Sequence, residues 1–191
     1  MSQTSSPPAL RQGVAGAILD GAAQVLAARG RDTSMGDVAI AAGVARATVY
    51  RHFPTRQVLL EELAQLAVRE VGDRLGSARI DEVPVEEGVS HAVRALIEVG
   101  DPLAVLVRQA ADADGDAFDD RVAAPLRRLI DAGQAGGHLR GDIESAWLVD
   151  VLIGLVVGVG PSRRGLGRED TVAALTSLFL HGARRPRPAA R

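Results

Sequence analysis

The sequence contains no cysteine, no lysine and no asparagine. Without cysteine there are no disulfides and no thiolate metal sites. The four histidines, His52, His91, His138 and His181, lie too far apart for local ligand spacing, so neither a metal nor another cofactor is expected. With lysine absent, every basic contact falls to arginine, whose planar fork suits phosphate or guanine, although a GC-rich genome accounts for the usage better. Long apolar runs are missing too. The longest, Val151 to Gly160, is ten residues, whereas a membrane helix needs about 20. The N-terminal stretch MSQTSSPPALRQG lacks the basic start and apolar stretch of a signal peptide and reads as a short flexible arm over residues 1–9. A cytoplasmic protein with no membrane partner is expected.

What is present is enough for a core: 191 residues, 47% of them hydrophobic. The formal net charge of -2 conceals an asymmetry, because residues 1–56 carry six Arg against three acids, and residues 57–191 carry sixteen against twenty-one. A basic front is compatible with phosphate binding and equally with a solvated face.

Helical periodicity dominates and no strand pattern competes. Val14, Ala17, Ile18, Gly21, Ala22, Val25 and Leu26 form the stripe of a helix ending at Gly30. Ser34 with Asp37 three residues on makes an approximate capping box for a short helix, with Val38 and Ala41 or Ala42 facing inward. Gly43 permits the reversal, Val44 plugs the core, and a second short helix runs from about Ala45 to Phe53 before Pro54. From Arg56, the series Val58, Leu59, Leu63, Leu66, Ala67, Val71 and Leu75 predicts a long helix ending near Gly76. Further helices are expected over about 84–99, 102–112, 116–134, 142–159 and 168–183. The tail RRPRPAAR, residues 184–191, should be extended or disordered.

The stretch SMGDVAIAAGVARATVYRHFPTRQVLLEELA, residues 34–64, closely resembles the helix-turn-helix and following helix of the TetR family. Val38, Ala39, Ala42, Gly43, Val44, Thr48, Tyr50, His52, Phe53 and Leu59 stand at matching positions. The resemblance implies an all-α fold: an N-terminal three-helix DNA-binding domain, residues 10–56, then a helical ligand-binding and dimerisation domain, residues 57–183. It also implies a ligand-responsive regulator, a repressor by the family's usual mode, whose homodimer binds double-stranded, roughly palindromic operator DNA with half-sites about 34–36 Å apart.

A helix about 10–12 Å across fits the major groove, and the second helix of such a motif presents its N-terminal side chains to base edges. Arg46 can reach guanine O6 and N7 or a phosphate, Ala47 can touch a thymine methyl, and Thr48 can bond base or backbone. Tyr50 and His52 are similar in position to family residues that grip the sugar-phosphate backbone, and Arg56 stands where a phosphate-binding Lys is usual. Ser34 can offer its hydroxyl to a phosphate or simply cap its helix. Arg51 is a secondary candidate. One departure is Ala45, where the family commonly has Ser or Thr; losing that hydroxyl costs about 1 kcal/mol of capping.

In the second domain the resemblance is one of helical layout. It implies an unidentified small-molecule effector, and the polar groups embedded in apolar helices are the candidates to meet it: His91, Arg94, Arg108, Gln109, Asp112 and Trp147. With 3% aromatic residues, an aliphatic or mixed ligand is favoured over a stacked one. The dimer is expected on the last two helices, which are more apolar than one small protomer requires. Leu148, Val151, Leu152 and Leu155 supply the first, and Leu175, Leu178 and Phe179 the second. Gly154 and Gly158, four apart, share one face and permit close helix approach, within a protomer or between two.

A helical enzyme would need a nucleophile beside a base or clustered carboxylates. Glu61-Glu62 and Glu86-Glu87 instead look like solvated faces, so no catalytic residue is expected. A protein-interaction module that kept the scaffold without DNA binding is the alternative. Thr48, Tyr50, His52 and Arg56 together argue against it.

Overall fold

In the computed structural model, residues 13–29, 32–99, 115–159 and 167–184 can be described. The expected arm, the helix at 102–112 with Arg108, Gln109 and Asp112, and nearly all of the C-terminal tail lie outside them. The chain divides into two compact units, Met1–Leu63 and Ala64–Arg191. The division falls inside a helix, seven residues beyond the position read from sequence.

The first unit begins with α1, Val14–Arg29, which buries Ile18, Gly21, Ala22 and Leu26. Val14, expected on this stripe, is exposed. Helix α2, Met35–Ala41, starts at Ser34 in a complete capping box with Asp37. Its inward residues are Met35, Val38 and Ala39. Of Ala41 and Ala42, one of which was expected to face inward, Ala41 is exposed and Ala42 half-buried. The inward face of so short a helix is set by its neighbours, and two alanines offer no contrast to read.

The turn is built as its sequence suggests. Gly43 sits at φ 66°, a left-handed conformation costly for residues with a Cβ. The Val44 N–H donates to the Ala39 carbonyl at 3.0 Å, closing the helix end. Gly21 has a different reason to be glycine: a Cβ there would lie 2.8 Å from the Ala42 backbone nitrogen. Helix α3, Arg46–His52, then buries Val49 and is followed by buried Phe53. Thr55 accepts a hydrogen bond from the Val58 N–H at 3.2 Å and so caps α4, Arg56–Ser77. Leu59 and Leu63 of α4 are buried.

In the second unit α4 buries Ala64, Ala67, Val68, Val71 and Leu75. It is followed by α5, Val85–Glu98, α6, Gly115–Phe118, and α7, Ala124–Ala135. The single helix expected over 116–134 is interrupted. Between α6 and α7 lies a π-helical turn, Asp119–Ala123, in which the Ala124 N–H reaches the Asp119 carbonyl. Pro125 explains it: the ring would strike the carbonyl four residues back, and widening the turn by one residue relieves that clash. A Cβ at Gly72 of α4 would lie 3.0 Å from the Arg121 Cβ, so glycine is what lets α4 approach this turn.

Helices α8, Ser145–Val159, and α9, Arg168–Ala183, complete the unit. Expected from residue 142, α8 starts three residues later, after a loop in which Asp142 is paired with Arg140 through two 2.8 Å hydrogen bonds. The Arg140 N–H bonds the Ala183 carbonyl at 2.8 Å, pinning the α7–α8 loop to the end of α9.

Candidate nucleic-acid interface

Helix α3 has one buried side, Val49, and an outer side on which Arg46, Ala47, Tyr50 and Arg51 are exposed and Thr48 is half-buried. His52 is also exposed at its end. The helix-turn-helix thus presents two guanidiniums, a phenol, an imidazole and a methyl group on one short element, flanked by Arg56 at the start of α4. No acid occurs between Asp37 and Glu61, and a surface of this kind can take up an anionic, hydrogen-bonding polymer.

Arg46 and Tyr50, one turn apart, are already paired. The Arg46 Nη2 donates to the Tyr50 hydroxyl at 3.3 Å, and the guanidinium carbon lies 5.5 Å from the ring centroid. The hydroxyl bond raises the Arg46 pKa further above its ordinary value. Spacing alone could have found this contact, since residues four apart share a helix face. Ala45 gives α3 no side-chain cap, as its missing hydroxyl implies.

Two expected phosphate ligands have partners within the protein. The Ser34 hydroxyl donates to Asp37 Oδ2 at 2.6 Å and accepts from the Asp37 N–H at 3.2 Å. Asp37 also pairs with Arg29 at 2.6 Å. The Ser34 bond, followed by its backbone N–H and Arg29, holds the Asp37 carboxyl below its usual pKa. The Ser34 hydroxyl is thus engaged in the capping box that its spacing to Asp37 suggests, the role expected of it beside a phosphate contact. Arg56 donates from Nε to the Thr33 carbonyl at 3.1 Å, so part of its role is to tie α4 to the loop before α2.

In the second unit the structure separates the residues expected at a dimer contact. Leu148, Leu152, Leu175 and Phe179 are enclosed in the protomer's own core and cannot meet a second copy without repacking. Helix α8 is apolar except for Ser145 and the exposed Asp150, so its periodicity marks the outward side only at that one acid. The outward side carries Trp147, 58% exposed, half-buried Val151 and Leu155, and exposed Gly154 and Gly158. Among the described residues, a Cβ at either glycine would meet nothing within 4 Å. On α9, Leu178 is 63% exposed.

Of the candidate effector contacts, Trp147 stands on this outer surface, not inside the unit. Arg94 is held by Glu169 through both terminal nitrogens. His91 is half-buried, its Nε2 3.8 Å from Glu87 and its Nδ1 buried without a hydrogen-bond partner. Among the described residues no cluster of three His, Asp or Glu is arranged to hold a metal ion. No helix among them is long and apolar enough to cross a membrane.

The geometry defines a class, a helix-turn-helix unit joined in sequence to a second helical unit, and the comparisons narrow it. Residues 18–63 match the model of the bacterial regulatory proteins, tetR family. Over 99 residues the chain is 39% identical to the HTH-type transcriptional repressor LfrR of Mycolicibacterium smegmatis. That stretch is 51% of this chain and 49% of the relative, so the match spans about half the length of each protein. The crystal structure of the TetR-like regulator LfrR from Mycobacterium smegmatis, in complex with proflavine, superposes with a TM-score of 0.73 at 25% identity. It covers 91% of this chain and 99% of that one. The fatty acid degradation regulator FadR from Bacillus halodurans shares the fold, with a TM-score of 0.66 at 22% identity over 88% of this chain and 98% of its own. The chain is thus similar to TetR-family regulators, in sequence over residues 18–63 and in fold over most of its length.

Proposed function

We propose that this protein is a cytoplasmic, non-enzymatic transcriptional repressor whose homodimer binds a roughly palindromic double-stranded operator through α3 and releases it on binding a small-molecule effector. The observation that carries this is the outer side of α3, with Arg46, Ala47, Tyr50 and Arg51 exposed on a helix held by a capped α2 and the Gly43 turn. Arg46, Ala47 and Thr48 meet base edges, while Tyr50, Arg51, His52 and Arg56 serve the backbone.

Repression is supported by the LfrR relative, a transcriptional repressor. An effector is supported by the LfrR structure, which holds proflavine. His91, with its unpartnered Nδ1, is the described residue best suited to meet an effector; Arg108, Gln109 and Asp112 remain candidates from sequence. One recognition helix per protomer requires two protomers for a palindrome. The self-association surface is the outer side of α8 and α9: Trp147, Val151, Gly154, Leu155, Gly158 and Leu178.

Titration into labelled duplex from upstream of the gene, at two salt concentrations, tests the reading. Binding should occur at two protomers per site and weaken by about 10³–10⁵ between 50 and 200 mM salt if six to ten phosphates are neutralised. Tyr50→Ala and Arg56→Ala should both weaken it, with Arg56→Lys and a thermal melt checking that the loop tie to Thr33 is not the cause. Absence of salt-sensitive binding to this or other genomic fragments would replace the reading with a protein-interaction module.

A further inference from the structure

We infer that Tyr50 is a positioning residue that holds Arg46 as a preformed guanine reader, so that the pair fixes a G·C pair at one position of each operator half-site. This rests on the DNA-binding reading above. Arg46 is the first residue of α3, where the helix dipole places partial positive charge and a cation is disfavoured. Two contacts nevertheless hold it there: the 3.3 Å bond to the Tyr50 hydroxyl and the approach of the guanidinium to the ring, 5.5 Å from its centroid. A lone exposed arginine samples many rotamers and loses that freedom on binding. Arg46 has already lost part of it.

The chemistry left over is specific. A guanidinium has five N–H donors arranged as two edges that each present a parallel pair. Tyr50 takes one hydrogen of Nη2, and whichever one it takes, one complete two-donor edge remains. Guanine is the base that offers two adjacent acceptors, N7 and O6, to such an edge in the major groove. A phosphate could accept the same fork, but a phosphate contact carries no base preference. The first turn of the second helix is also where side chains of this motif meet base edges. For base preference Tyr50 acts through Arg46; its grip on the sugar-phosphate chain changes affinity for all sequences alike and is read separately from that preference.

Selection of bound duplexes from a randomised operator pool, at fixed salt, tests it with wild type, Tyr50→Phe, Arg46→Ala and the double variant. A salt titration on one duplex accompanies each. Arg46→Ala should erase a guanine preference of about 10-fold or more at one symmetric position and leave the salt slope unchanged. Tyr50→Phe keeps the ring and loses the hydroxyl; it should weaken the preference at that same position only, several-fold, and add nothing in the Arg46→Ala background. Both residues are exposed, and melting curves confirm that the variants fold.

If Tyr50→Phe leaves that preference intact, or if Arg46→Ala weakens all sequences equally and flattens the salt slope, the inference is overturned while DNA binding stands. Loss of all salt-sensitive binding by the wild type would instead remove the regulator reading itself.

Discussion

The two units carry their information differently. In the first, single residues have single reasons: Gly43 for a left-handed turn, Gly21 for the approach of Ala42, Ser34 and Asp37 for a helix start, Val49 for the only buried side of α3. In the second, the same kinds of residue are interchangeable until the packing is seen. Helix α8 offers an almost unbroken apolar series, from which the protomer encloses Leu148, Val149, Leu152, Ile153 and Val156 and leaves Trp147, Gly154 and Gly158 outside. Short helices joined by tight turns are specified by local hydrogen bonds and dihedral angles. Long apolar helices are specified by what covers them.

The largest effect that tests this contrast is on the two sides of α8. Leu152→Ala should destabilise the protomer by about 2–5 kcal/mol in urea unfolding, because the side chain is 1% exposed and leaves a cavity. Trp147→Ala should leave protomer stability nearly unchanged but lower self-association by sedimentation or size-exclusion analysis. The reverse pattern would put the wrong side of α8 at the surface. A smaller change is expected at the start of α2. Ser34→Ala removes the capping box at a cost of about 1 kcal/mol, read by thermal unfolding, without lowering the salt slope of DNA binding; a lower slope would make Ser34 a phosphate ligand as well.

The smallest effect concerns pH. The Arg140 hydrogen bonds hold the Asp142 carboxyl down to about 2, and Glu169 is lowered by its bonds from Arg94. A depressed carboxyl stabilises the folded state above its unfolded value of about 4 and loses that contribution as pH falls toward the folded value. For Asp142 the window is therefore from about 4 down to about 2. Acid unfolding of Arg140→Gln should show less dependence on pH within that window than wild type. An unchanged acid limb would mean that solvent screens the exposed pair completely.

Much of the architecture was legible beforehand. The bounds of α1, α5 and α9 and the capped α2, glycine turn and α3 agree with the periodicity and caps to within a residue or two. Apart from Ser34 at the start of α2, the candidates for DNA contact fall on or beside one short helix, because seven residues with one buried side leave few alternatives. The π turn before α7 follows from Pro125, whose ring would strike the carbonyl four residues back, a local signal that one helical period over 116–134 passes over. The Ser34–Asp37 capping box was legible from its spacing, whereas the Asp37–Arg29 pair was not, because it joins two different helices.

By itself the sequence determined the all-helical class, the helix-turn-helix and the residue types available to meet nucleic acid. Period, cap and turn are properties of neighbours along the chain. The tertiary structure alone decided which side of α8 is core, that Gly154 and Gly158 face away from the described residues of the protomer, and that Arg46 lies against Tyr50 while Arg56 also holds the Thr33 carbonyl. The physical reason is that burial and side-chain pairing depend on which helices come to lie together, and a helix whose single acid is Asp150 carries little record of that choice.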